Sequence, residues 1–160
     1  MKKLSLGVNN ISIMSEVLIL GLGNPLLKDD GIGPRVIKEV KKEKLPAGVC
    51  AVEAGGSFFV YWDLLLKCRQ VIVIDSLQGG GPPGSVYILT PEHLQSQNEN
   101  QMRHELHFLD VLRMAAFYGA CPKTTIIGVE PEEITFSLEL SEVVERKIPG
   151  ILSCIRERIE

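Results

Sequence analysis

Two apolar runs constrain the fold of this chain more than any other feature. They are VLILGL at 17–22 and VIVID at 71–75, and neither alternates between polar and apolar residues. Each run stops abruptly, the first at a glycine turn and the second at an aspartate. A short apolar run that is rich in β-branched residues predicts a strand buried on both faces, as in a parallel sheet covered by helices.

The other elements alternate around these two runs. Strands are predicted at 17–22, 49–52, 71–75, 86–89 and 124–129, and helices at about 34–40, 58–67, 104–118 and 141–159. Pro149 should kink the last helix or mark its restart. The alternation predicts an α/β fold with three layers (α/β/α), in which a mostly parallel sheet of about five strands has one antiparallel edge strand. The polar segment 90–103 is predicted to be a long loop.

Composition fits one globular domain and argues against several functional classes. Hydrophobic residues make up 45% of the 160 residues, and the net charge is -3. Without a basic excess, we expect no nucleic-acid partner. The apolar run at 17–22 is too short to span a bilayer, so no membrane partner is expected. We expect a flexible N-terminal leader at 1–15 followed by a single domain at 16–160.

The four cysteines predict a reducing compartment. They are far apart and form no CxxC pair: Cys50, Cys68, Cys121 and Cys154. Isolated thiols of this kind are typical of buried free cysteines rather than of disulfides or zinc ribbons. A cytoplasmic location is therefore expected.

Acidic residues follow several predicted strands. They are Asp29 and Asp30 after the first strand, Glu53 after the second, Asp75 at the end of the third and Glu130 after the strand at 124–129. Because the carboxyl ends of parallel strands share one edge, these acids should gather there. The predicted helix at 104–118 brings His104 and His107 to the same edge.

Simpler interpretations exist for each of these residues. Asp30 could cap a helix and Asp75 could cap a turn. The GLGNPL segment resembles a dinucleotide-binding turn but has Leu26 at the third glycine position, and its aspartates would repel a pyrophosphate. The two histidines are three positions apart, whereas the zincin helix needs four. Taken together, however, Asp30, Asp75 and His104 form a set of two oxygen donors and one nitrogen donor, which suits nickel, zinc or manganese.

Several stretches resemble one family, the hydrogenase maturation endopeptidases, which remove a C-terminal extension from the large subunit of nickel–iron hydrogenases. The stretches are ILGLGNPLLKDDGIGPRVIKEV, VEAGGS, VIVIDS, PGSVYIL, HELHFLDVLRMAAFYGACPKTTIIGVEP and LELSEVV. They follow the order of the family's motifs and cover about residues 17–155. The resemblance implies that 16–160 is a single peptidase domain.

The resemblance also implies a site. The family's metal-binding acid, strand-end aspartate and helix-leading histidine fall on Asp30, Asp75 and His104, which would be both catalytic and metal-binding. The nickel would be supplied by the substrate, with zinc, cadmium or manganese able to occupy the site in vitro. The expected partner is the hydrogenase large-subunit precursor, and the expected state is a monomer or weak homo-oligomer.

This chain departs from the family pattern at three positions. His107 stands where relatives have small residues, which leaves open which imidazole binds; the spacing to Asp110 favours His104. Glu53 and Ala54 replace the usual residues before the double glycine. Two other functions stay open: a non-catalytic metal-sensing or docking module on the same fold, and peptidyl-tRNA hydrolase, which shares GLGNP but is disfavoured by the acidic charge.

Overall fold

The computed structural model describes residues 16–95 and 103–159, with side chains described for 16–94 and 107–159. The predicted leader at 1–15 lies outside the described residues. The strands are β1 (Val17–Leu22), β2 (Val49–Gly55), β3 (Gln70–Ser76), β4 (Val86–Leu89) and β5 (Lys123–Val129). The helices are α1 (Ile32–Val40), α2 (Trp62–Lys67), α3 (Pro91–Gln95), α4 (Arg103–Phe117), α5 (Glu142–Glu145) and α6 (Ile148–Ile159). Short 3-10 turns cover Lys28–Gly31 and Phe58–Val60.

The five strands form one sheet in the order β2-β1-β3-β5-β4. The pairs β1–β2, β1–β3 and β3–β5 are parallel, and only β4 runs antiparallel, against β5. The predicted three-layer α/β/α fold with one antiparallel edge strand is therefore confirmed. The strands β1 and β3 lie inside the sheet, which explains why their sequences are apolar on both faces.

Each face of the sheet carries its own apolar core. Helices α2 and α4 cover one face, where Leu65 and Phe108 pack against β1 and β3. Helices α1 and α6 cover the other face, where Ile37 and Ile151 pack against the alternate residues of the same strands. Because strand side chains alternate between faces, the register decides which layer each strand residue meets.

A close contact between β1 and α1 brings the first turn down onto the sheet. Gly33 lies so near the strands that a Cβ atom there would be 2.1 Å from the carbonyl oxygen of Leu22 and 2.5 Å from that of Ile74. Only glycine fits at this distance. The contact fixes the 3-10 turn Lys28–Gly31, which precedes α1, over the carboxyl ends of β1 and β3.

Several predicted boundaries are wrong. β2 continues to Gly55 instead of ending at 52, so Glu53 lies within a strand. The helix predicted at 58–67 begins as a 3-10 turn with no buried residue, so no core contact holds a full helical turn there. The segment 90–103 starts with helix α3 rather than with a loop, and 96–102 lie outside the described residues. The predicted restart at Pro149 is confirmed, because the last helix begins again at Ile148 with Pro149 in its first turn, where proline's missing N–H is tolerated.

Candidate active site

Asp30 and Asp75 meet at the carboxyl edge of the sheet, and Ser76 joins them. The Ser76 hydroxyl donates a hydrogen bond of 2.9 Å to Oδ1 of Asp30. The backbone N–H of Ser76 donates one of 2.8 Å to Oδ1 of Asp75. Both carboxylates are almost fully buried, with exposed fractions of 3% and 0%. The structure thus brings together two of the three residues singled out from the sequence.

The glycine turn after β1 packs directly on this pair. Gly23 has a φ of +107°, and a Cβ atom there would be 2.0 Å from the carbonyl oxygen of Asp30 and 3.4 Å from Oδ1 of Asp75. The N–H of Asn24 donates to Oδ2 of Asp30 at 2.8 Å. The N-cap of α1 is Gly31, without a side-chain capping bond, so the interpretation of Asp30 as a helix cap is wrong.

The third predicted residue, His104, belongs to the first turn of α4, and its side chain lies outside the described part. Position 104 is one helical turn before Phe108 and two turns before Val111, which are both buried against the sheet. Side chains of a strand alternate between the two faces of the sheet, so Asp75 lies on the same face as Val71 and Val73 of β3. These two valines belong to the core under α4. The backbone therefore places position 104 and Asp75 on the same side of the sheet.

Asp29 has a different role from its neighbour. Its carboxylate is fully buried and accepts four hydrogen bonds from the loop that follows β5. The donors are the N–H groups of Glu132 (2.9 Å) and Glu133 (3.1 Å) and both the N–H and the hydroxyl of Ser141 (2.8 Å each). This carboxylate therefore holds the loop in place, and its neighbour supplies the carboxylate at the candidate site.

Two other acids that were expected at this edge also have structural partners. Glu53 lies inside β2, and its carboxylate is 3.9 Å from Nζ of Lys41, which directly follows α1, so the prediction that Glu53 comes after the strand is wrong. Glu130 does follow β5, but its Oε2 accepts hydrogen bonds from the N–H of Gly79 (2.7 Å) and the hydroxyl of Tyr87 (2.9 Å). That carboxylate fixes the glycine-rich turn before β4.

His107 lines a separate cleft beside the carboxylate pair. The cleft has a volume of about 340 Å³ and is lined by Leu22, Gly55, Gly56, Ser57, Phe58, Tyr61, His107 and Phe108. The exposed imidazole of His107 stands edge-on to the ring of Phe58, with 6.2 Å between centroids. Burial raises the pKa of Tyr61 to about 12, so its phenol stays protonated at neutral pH. His107 therefore faces an aromatic wall rather than the turn that carries Asp30.

The described side chains at this edge would suit a divalent cation, but they do not form a complete set of metal ligands. Among the described side chains, no three histidine, cysteine, aspartate or glutamate residues come together as a metal group. The two buried carboxylates are the oxygen donors that the described side chains bring together at this edge. Oxygen donors with an imidazole would suit a borderline ion such as nickel or zinc.

The cysteines are free thiols and differ in their surroundings. Burial raises the pKa of the Cys68 thiol from 9.0 to about 11, whereas Cys121 is exposed. The thiolate is the reactive form, and two pKa units reduce its fraction by about 100-fold. We therefore expect a thiol reagent at pH 8 to modify Cys121 at least about 100 times faster than Cys68, measured by peptide mass spectrometry. A Cys121→Ser variant is the control, and rapid modification of Cys68 in it would contradict the buried environment.

Ser76 contacts both carboxylates, but it is not among the site residues expected from the sequence. It lies in the run VIVIDS, directly after the strand-end aspartate. A hydroxyl residue at the end of a buried strand, next to an acid, is the signal that could have identified it.

No helix in the described ranges combines the length and apolarity needed to cross a membrane.

Comparison with known proteins gives one consistent result. Residues 34–158 match the family model for hydrogenase maturation proteases. The hydrogenase expression/formation protein HoxM of Azotobacter vinelandii is 34% identical over 142 residues, which cover 86% of this chain and 69% of the relative. The HupD protein of Rhodobacter capsulatus is 30% identical, and the match covers 74% of this chain but only 59% of that relative.

Solved structures agree with these relatives. The hydrogenase maturating endopeptidase HybD of Escherichia coli aligns with a TM-score of 0.77 at 28% identity, covering 89% of this chain and 93% of that one. The hydrogenase 2 maturation peptidase of a Thaumarchaeota archaeon aligns with a TM-score of 0.66 at 36% identity, covering 89% and 97%. This chain therefore belongs to the hydrogenase maturation protease family.

Proposed function

We propose that this chain removes the C-terminal extension from a nickel–iron hydrogenase large-subunit precursor after nickel has been inserted. The observation that carries the proposal is the meeting of Asp30 and Asp75 at the carboxyl edge of the sheet, in a chain of this peptidase family. In an open parallel sheet this edge is where substrates bind. The glycine turn and the cleft lined by His107 open to the same edge.

Nickel recognition is assigned to Asp30, Asp75 and His104. The nickel is part of the substrate, since it belongs to the precursor, and these residues would bind it and so position the scissile peptide bond. A peptide bond that is held next to the reacting groups of the enzyme is cleaved faster than one in a substrate that must first diffuse into position. Zinc, cadmium or manganese would occupy the same donors in vitro, because each of these divalent ions accepts carboxylate and imidazole ligands.

The two carboxylates also explain why cleavage would wait for nickel. Without the cation, two negative charges would face the thiolate-rich end of the precursor, and like charges repel. With the cation in place, the same carboxylates become favourable partners. The charge of the site therefore couples trimming to metal loading.

The assignment of His104 rather than His107 has support from position. Position 104 shares the helical stripe of Phe108 and Val111, and that stripe packs on the side of the sheet that carries Asp75. His107 is exposed and faces Phe58 in the cleft. We assign the cleft to the precursor and the imidazole at 104 to the nickel.

The reaction is placed in the cytoplasm. All four cysteines are free thiols, which fits a reducing compartment. The partner is the large-subunit precursor of the same organism.

The experiment uses this chain with nickel-loaded and nickel-free precursor, followed by intact-mass spectrometry of the large subunit. We expect loss of the C-terminal peptide from the loaded precursor and no mass change in the nickel-free one. A large subunit that already lacks its extension is the control and should keep its mass. Equal trimming of both precursors would overturn nickel recognition. A stable complex without mass loss would overturn the peptidase and favour a docking module.

A further inference from the structure

Ser76 contacts both carboxylates of the candidate site through different groups. Its N–H is bonded to Asp75 at 2.8 Å, and its hydroxyl is bonded to Asp30 at 2.9 Å. It is 9% exposed and is the last residue of β3. Because the backbone of β3 is fixed by pairing with β1 and β5, the position of Ser76 is set by the sheet.

The hydroxyl restricts how the Asp30 carboxylate can turn. Oδ2 of Asp30 is held by the N–H of Asn24, and Oδ1 by Ser76. Since both oxygens accept hydrogen bonds, rotation about the Cβ–Cγ bond would break at least one of them.

We propose that Ser76 is a positioning residue, which sets the orientation of Asp30 relative to Asp75 so that both carboxylates can bind one divalent cation. The inference rests on the proposed function, because it assumes that this pair binds a metal. Outer partners of this kind fix the orientation of metal ligands, and their loss typically weakens metal binding by about 10–100-fold. A merely structural serine would instead affect stability alone.

Ser141 provides a matched control within the same chain. It is also buried, with 5% exposed, and its hydroxyl donates to an aspartate, Oδ2 of Asp29, at 2.8 Å. Ser141→Ala therefore removes a hydrogen bond of the same type and of similar length from a carboxylate that is not part of the pair.

The test measures binding of zinc ions to the full chain by calorimetry, alongside the thermal unfolding midpoint. We expect Ser76→Ala to weaken zinc binding by about 10-fold or more. Ser76→Thr, which keeps the hydroxyl, should stay within about threefold of wild type, and so should Ser141→Ala. Binding by Ser76→Ala within about threefold of wild type would overturn the positioning role. Equal weakening in Ser141→Ala would overturn it as well, since the effect would then be one of general stability.

Asp75→Asn separates the two possible failures. If wild type binds zinc, Asp75→Asn does not, and Ser76→Ala binds like wild type, only the role of Ser76 is overturned. If wild type binds no zinc, both the cation site and the role of Ser76 are overturned, while trimming of the precursor still decides the peptidase.

Discussion

Replacing Asp75 with asparagine is expected to abolish trimming of the nickel-loaded precursor while leaving the fold intact. The side chain is fully buried at the end of β3, and asparagine has the same shape and can still accept the N–H of Ser76. The asparagine lacks only the negative charge that would attract a cation. Losing only an outer partner of a metal ligand costs up to about 100-fold, so we expect kcat/KM to fall by at least about that factor when a ligand itself is lost.

The same loss is expected for Asp30→Asn and His104→Ala, with trimming followed by mass spectrometry and folding by circular dichroism. Asp110→Asn is the control, because this aspartate is exposed on α4 and pairs with Arg113. Unchanged trimming by the Asp30, Asp75 and His104 variants would overturn the site. If His107→Gly abolishes trimming and His104→Ala does not, the imidazole was assigned to the wrong residue.

Asp29→Ala is expected to have the opposite phenotype, a large loss of stability. It would remove the acceptor for four hydrogen bonds from Glu132, Glu133 and Ser141 in the loop after β5. The two donors of Ser141 are buried, and each costs about 1 kcal/mol or more without a partner, so we expect the free energy of unfolding to fall by about 2 kcal/mol or more. Urea denaturation measures this directly.

Two further variants make that result interpretable. Asp110→Ala removes an exposed aspartate with one ion pair, and such pairs contribute at most about 1 kcal/mol. Asp29→Asn keeps an acceptor and the shape of the side chain, so it should fall between Asp29→Ala and wild type and remain measurable if the alanine variant does not fold. An Asp29→Ala variant as stable as Asp110→Ala would contradict the role given to this carboxylate.

The sheet could be predicted well from the sequence because two of its inner strands, β1 and β3, contain short apolar runs. Few structures other than a strand covered on both faces can bury such a run. Residues 17–22 and 71–75 are apolar on both faces, and burial on both faces follows from that. The edge strand β2 was harder, because its outer residues are half-buried and its polar Glu53 resembles the end of a strand. Backbone pairing with Gly21 of β1, a tertiary contact, keeps that glutamate inside the strand.

The candidate site was predicted in part for similar reasons. That Asp75 reaches the carboxyl edge follows from strand direction alone. The division of roles between Asp29 and Asp30 depends on the 3-10 turn, whose direction is set by contacts with Ser76 and with a loop far along the chain. Sequence spacing contains no information about those contacts, so it could identify two adjacent acids without separating their roles.

The bonds of Asp29 have a consequence for how the molecule forms. They join residues 103 to 112 positions apart, and the bond between Ser76 and Asp30 spans 46 positions. Contacts between residues so far apart in sequence form late in folding, because the long segment between them must first lose conformational entropy. During synthesis, β1 and the turn Lys28–Gly31 therefore leave the ribosome long before the loop after β5, which bonds to Asp29 in that turn. Asp29 can form its full set of hydrogen bonds, and so differ in role from Asp30, only after Ser141 has been synthesised.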